Sequence, residues 1–337
     1  MSRSGRASRS IRTLVLLTAS LLLGWFIIVR VGTVDWEDVG DALAKLAAWQ
    51  LVVLFGVVVV RQVLSAVPTA LFVPGLGMTR AVVSDQAAML MRVVAPPPAD
   101  TAIRLTMLAR WRVEPPAAVA GVVMTKVAHN TVRWSAPVIG FVLVLTDRFD
   151  SSFGAGALAG GSVAAVILVV VYLVARGRTT AGRVGLVAGR SVRTVRRSVD
   201  PEEWEAAATA FREQISGRLS TGLPRSLAAL LVMLACDAAI LLLSVRFVGV
   251  GADALPASEA VAAYLLVYPM TLLPIFGLGV LDASAVAIMV AYAGPELEGS
   301  LVAALFVWRT VTIGAALVLG GVAVLAGRLM PPARRDG

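Results

Sequence analysis

One cysteine and one histidine stand in a chain of 337 residues. Cys236 lies in an apolar run, which excludes a disulfide framework and a metal-thiolate site. His129 has no histidine or cysteine cluster around it, which argues against zinc. Charge is scarce as well: 15% of residues are charged and 58% hydrophobic, with mean hydropathy +0.85. Soluble domains average about 25% charged and 45–50% apolar, so the composition is that of a polytopic membrane protein. Lysine is nearly absent, with 2 against 28 arginines, for which there is no physical account. The glycines at 75/77 and 277/279 follow no strand and lack full GxGxxG or Walker spacing, so no nucleotide loop is read. His129 has no serine elbow for hydrolysis. The net charge of +9 would suggest nucleic acid in a soluble chain, but the basic residues gather in short loops. The positive-inside rule accounts for them, and no nucleic-acid partner is expected.

The apolar runs define the organisation. Thr13–Val29 follows four arginines without a small-x-small cleavage site, which predicts a retained first helix. Further spans are predicted at Trp49–Val73, Val132–Leu145 (extended back through Ala117), Ala155–Ala175, Ser226–Phe247 and Leu301–Ala326. The expected fold is all-α: one membrane domain over 1–337, with halves at 13–175 and 226–327 and a basic segment at 176–225 between them. That segment carries ten arginines against five acids, whereas Asp35, Glu37, Asp38, Asp41, Asp253, Glu259, Glu296 and Glu298 mark acidic loops. Both termini and 176–225 are therefore expected on the cytoplasmic side of the plasma (inner) membrane.

This topology forces two segments to enter and leave on one side. Residues 259–293 are interrupted by Pro274-Ile275-Phe276-Gly277-Leu278-Gly279 and predict a re-entrant segment from outside; 82–115, around Pro96-Pro97-Pro98, predict one from inside. Broken segments at matching places in two halves are the pattern of an inverted repeat with its site at the midplane. The alternative is that 82–115 is an ordinary cytoplasmic loop. Asp200, Pro201 and Glu202 start a separate amphipathic helix at about 201–219, with Trp204, Ala208, Phe211, Ile215 and Leu219 on one face. It lies on the inner membrane surface or packs against the bundle.

Charges inside spans cost about 2.5–3.5 kcal/mol on insertion scales and mark candidate sites. Arg309 has no acid in its own helix, which makes Asp282, just past the break, its natural partner. Its guanidinium alternatively binds an anionic headgroup through paired contacts to phosphate. Lys126, His129 and Asn130 share a helical face in the other half, with Arg133 read as reaching the inner interface. His129 is either a proton carrier or a satisfied buried ring. Asp100 precedes Arg104 by one turn, a spacing that permits an internal ion pair, while Arg61 and Asp237 lie in the paired flanking helices and could neutralise each other.

The run Leu272-Leu273-Pro274-Ile275-Phe276-Gly277-Leu278-Gly279-Val280-Leu281-Asp282, followed a span later by Arg309, resembles a family signature. So does Pro97-Pro98-Ala99-Asp100 with Arg104, Leu108, Arg110-Trp111, Lys126 and Asn130. The family is the transmembrane region of lysylphosphatidylglycerol synthases and its stand-alone, flippase-like relatives, and the likeness covers about 50 to 326. Asp282 stands where the family has glutamate, and Pro97, Pro98 and Ala99 where glycines are common. The resemblance implies lipid translocation without aminoacyl transfer, since the sequence carries no synthase domain after Arg335. It implies substrate contacts at Asp282, Arg309, Arg104, Lys126, His129, Asn130, Pro274, Gly277 and Gly279. The expected substrate is an anionic phospholipid or polyprenyl-phosphate-linked lipid, with no cofactor, and a homo-oligomer is compatible with the sequence. Two other readings stay open: a membrane-embedded transferase with Asp282 as base, and a scaffold docking a soluble partner on 176–225.

Overall fold

The computed structural model describes residue 41 and residues 46–95, 98–145, 151–195, 198 and 200–331. The expected helix Thr13–Val29, the prolines Pro96 and Pro97 and the tail arginines Arg334 and Arg335 lie outside the described residues. The described chain is all-α, with no strand among the described residues.

In chain order the helices are α1 (Ala48–Phe72), α2 (Gly77–Val94), α3 (Ala99–Arg110), α4 (Pro115–Leu145), α5 (Ser151–Arg176), α6 (Arg178–Val195) and α7 (Pro201–Phe247). Then come α8 (Ala257–Val267), a 3-10 turn (Tyr268–Leu272), a single helical turn (Pro274–Gly277), α9 (Val280–Ala293) and α10 (Glu298–Leu329). Four of these elements are long and apolar enough to cross a membrane: Ala48–Phe72, Gly154–Arg176, Pro201–Phe247 and Pro295–Leu329. Their outward faces carry large apolar side chains, among them Val52, Leu158, Val166, Val318 and Leu325. So much apolar exposure on adjacent helices marks a surface that water does not cover. Helix α4 has 31 residues but is interrupted by Lys126, His129, Asn130 and Arg133, and is not among the four.

The main core runs through α1, α4, α7, α8, α9 and α10, where Leu54, Leu230, Ile240, Tyr264, Leu281 and Leu301 are fully enclosed. A smaller cluster around Trp111, Leu108 and Val73 holds the α2–α3 pair against the same bundle. Within 82–115 the described residues form two packed helices, α2 and α3.

The 176–225 segment corrects the expectation of a loop with a separate surface helix. It is α6 followed by the first half of α7, a continuous 47-residue helix that carries Pro224 in its interior. Asp200 caps its start, the side chain accepting from the Glu202 N–H at 2.9 Å, with Pro201 at the first position. A helix of this length is about 70 Å long at 1.5 Å per residue, more than twice the roughly 30 Å of a hydrocarbon core. Helix α6 packs closely against the first half of α7. A Cβ at Gly185 would meet the Trp204 carbonyl oxygen at 2.4 Å, so glycine lets the two backbones touch. Of the two placements open to the apolar stripe, Ile215 and Leu219 take the second and are buried in the bundle.

Candidate functional site

The break after α8 is built by two residues that leave ordinary backbone geometry. Phe276 has φ 56° and Gly277 φ 72°. A Cβ at Gly277 would lie 2.6 Å from the Met270 carbonyl oxygen, so both torsion and space require glycine there. The next glycine, Gly279 (φ 84°), caps α9, and its N–H donates to Asp282 Oδ2 at 2.7 Å. The other oxygen of the same carboxylate, Oδ1, accepts from Arg309 Nε at 2.7 Å. Arg309 Nη2 also donates to the Phe276 carbonyl at 3.2 Å, and its guanidinium lies 4.6 Å from the Trp308 ring centroid. Arg309 is thereby tied to both sides of the break. Gly277→Ala is expected to destabilise the protein by about 1–3 kcal/mol through backbone strain alone. Thermal unfolding in detergent reads this, and Gly75→Ala, at φ 65° with open space around it, should lose less.

Arg309 lines a cavity that also receives Arg61 of α1, Arg92 of α2, Arg133 of α4, Asp237 of α7 and Tyr268 and Thr271 beside the break. The cavity has a volume of about 70 Å³. Asp237 is held from two sides: Arg61 Nε donates to Oδ1 at 2.9 Å, and the Tyr268 hydroxyl donates to Oδ2 at 3.2 Å. Arg92 has Asp100 at 3.8 Å as its one ion-pair partner among the described residues, and its guanidinium sits 5.6 Å from the Phe276 ring centroid. The last turn of α2 and the break after α8 therefore meet at this cavity. Arg133 donates to Asn130 Oδ1 at 2.6 Å and to Thr271 Oγ1 at 3.0 Å, both neutral acceptors. The indole N–H of Trp308, also at the cavity, is buried without an acceptor.

A second polar network lies one helix turn away along α4. Arg104 Nη2 donates to Asp85 Oδ1 and Nη1 to Thr69 Oγ1, both at 2.6 Å. Ser65 Oγ donates to Asp85 Oδ2 at 2.9 Å and lies 3.3 Å from His129 Nε2, while His129 Nδ1 lies 2.9 Å from the Thr125 carbonyl. Asp85, Arg104, Ser65 and Thr69 are all buried.

The residues read from the sequence therefore divide. Arg309 reaches the cavity, with Asp282, Gly277 and Gly279 forming its support and Pro274 opening the turn before them. Asn130 acts behind Arg133. Arg104 and His129 belong to the second network. Lys126 turns away to Asp100 at 3.3 Å and Thr101, and is half exposed. The expected Asp100–Arg104 pair does not form: Asp85 takes Arg104, and Asp100 serves Lys126 and Arg92. Arg133 does not reach for an interface, because α4 extends well past it on both sides and presents it to the cavity. Asp85, Arg92, Tyr268 and Thr271 were missed; Asp85, in Ala81-Val82-Val83-Ser84-Asp85, and Arg92, in Met89-Leu90-Met91-Arg92-Val93-Val94, both stood out as charges in apolar runs.

Comparison with models of protein families, with curated proteins and with solved structures finds no match.

Proposed function

We propose that the chain is a lipid translocator, resembling the stand-alone flippase-like proteins named above, that passes an anionic headgroup between leaflets of the plasma membrane through the arginine-lined cavity. The carrying observation is the charge balance around it. Arg61, Arg92, Arg133 and Arg309 line it with Asp237 as the acid among its lining residues, while Asp282 pairs with Arg309 and Asp100 lies 3.8 Å from Arg92, four cations to three carboxylates. A surplus of one, concentrated on Arg133 and the loosely paired Arg92, favours a bound anion in an apolar bundle, and planar guanidinium groups suit phosphate oxygens. Arg92, Arg133 and Arg309 are the contacts to the headgroup; Asp282 holds Arg309 until phosphate replaces it. Acyl chains stay in lipid.

The element order supports an inverted repeat. Helix α1, the broken pair α2–α3 and α4 have the same order as the second part of α7, the broken α8–α9 and α10. The last turn of α2 and the second break touch the cavity, through Arg92 and Phe276. With the loop charges, this supports re-entrant segments open to opposite sides and both termini in the cytoplasm.

The test is leaflet exchange of fluorescent lipids in proteoliposomes. Labelled phosphatidate is expected to exchange faster than in empty vesicles and faster than labelled phosphatidylcholine. If neither phospholipids nor lipid-linked sugar phosphates outpace empty vesicles, the translocator reading fails.

A further inference from the structure

Three contacts run in series through the second network: the Thr125 carbonyl to His129 Nδ1, His129 Nε2 to Ser65 Oγ, and Ser65 Oγ to Asp85 Oδ2. Each needs one hydrogen. The carbonyl and the carboxylate supply none, a neutral imidazole supplies one, and the serine hydroxyl supplies one. Two hydrogens serve three contacts. Whichever tautomer is chosen, one link is left as two facing lone pairs. With Nδ1–H given to Thr125 and the serine hydrogen given to Asp85, the empty link is His129 Nε2 to Ser65. At 3.3 Å it is the longest of the three, beside 2.9 Å for each of the others.

We infer that His129, Ser65 and Asp85 form a proton-binding site, completed when one further proton occupies Nε2 of His129, and that this site fills together with an anion in the neighbouring cavity. The second clause rests on the anion-binding reading above. Burial of the ring is the largest opposition to a proton; of the charged groups around it, Asp85 attracts a proton and Arg133 and Arg92 repel it. Of the remaining charged and titratable groups, Arg104 is spent on Asp85, Lys126 points to Asp100, and Arg61, Asp237 and Tyr268 neutralise one another across the cavity. The opposing charges are thus the two guanidinium groups proposed to hold phosphate. Arg133 lies four residues, one turn, from His129 on the same helix. An anion seated on Arg92 and Arg133 cancels the repulsion and tightens the proton; the proton in turn tightens the anion. The transported species is then the lipid anion plus a proton.

Because His129 is the only histidine, ¹⁵N-histidine labelling of the full chain, without a histidine tag, in nanodiscs gives one imidazole to follow. At high pH the neutral ring is expected as the Nδ1–H tautomer, converting to imidazolium as pH falls. Inorganic phosphate should raise its proton affinity on the order of tenfold. Asp85→Asn provides the matched control. Arg104 turns the amide oxygen toward itself, so the amide nitrogen donates to Ser65 and frees the serine hydrogen for Nε2. The ring should then stay neutral and ignore phosphate. A neutral Nε2–H tautomer in the wild type, or a ring whose titration is the same with and without phosphate, overturns the proposal even if Asp85→Asn does not fold. A responsive ring in a protein that exchanges no lipid would leave the proton site standing and remove the translocator reading.

Discussion

Asp85→Ala should lower stability by about 3–5 kcal/mol, the usual loss when one partner of a buried ion pair is removed. Arg104 is buried and would keep only the Thr69 hydroxyl, while Ser65 would lose its acceptor. The pair joins α2 to α3, and Thr69 ties both to α1, so the change acts on the elements that form one wall of the bundle. Unfolding can be read by a thiol-reactive dye at Cys236, the single cysteine, as detergent solutions are heated. The double variant Asp85→Leu/Arg104→Met should regain most of the loss, since an apolar pair of similar volume is often as stable as a buried ion pair. An Asp85→Ala protein as stable as the parent would show that water reaches Arg104 and that the network is not closed.

Arg309→Ala should slow exchange of an anionic lipid by roughly 10- to 100-fold, the range expected from losing one charge-assisted contact of 1.5–3 kcal/mol. The harder question is whether Arg309 merely neutralises Asp282. The double variant Arg309→Ala/Asp282→Ala separates the two. A structural ion pair predicts recovery when both members go, because no unpaired charge remains. A headgroup contact predicts that the double variant stays as slow as the single one. Proteoliposome exchange of fluorescent phosphatidate reads both, and recovery in the double variant would remove Arg309 from the headgroup site.

Much of the all-α layout was legible because the apolar runs are long and the charges inside them few. Arg309 and Asp282 could be paired from the sequence, since a charge in such a run needs a partner and only one acid stood near the break. The same logic found Arg61 and Asp237. It failed for Arg104, because Asp100 sits one turn away and looked sufficient. Helical spacing states which residues can meet along one helix, not which acid a neighbouring helix brings closer. Arg133 was misread for a related reason. With α4 taken as a short span it lay near an end, whereas in a 31-residue helix it lies inside. The long α7 was hidden by Pro224, a residue that usually ends a helix, and by arginines that read as a loop. Close packing on Gly185 holds the helical hairpin together, and a glycine in an arginine-rich stretch carries no mark of that contact.

The two oxygens of Asp282 have separate duties, one closing the first turn of α9 and the other gripping Arg309. An arriving phosphate can therefore draw the guanidinium away while the helix keeps its cap. Under the proposed function, loading and unloading are then a change of grip by one side chain. That asks for a rotamer change of Arg309 and leaves the first turn of α9 folded.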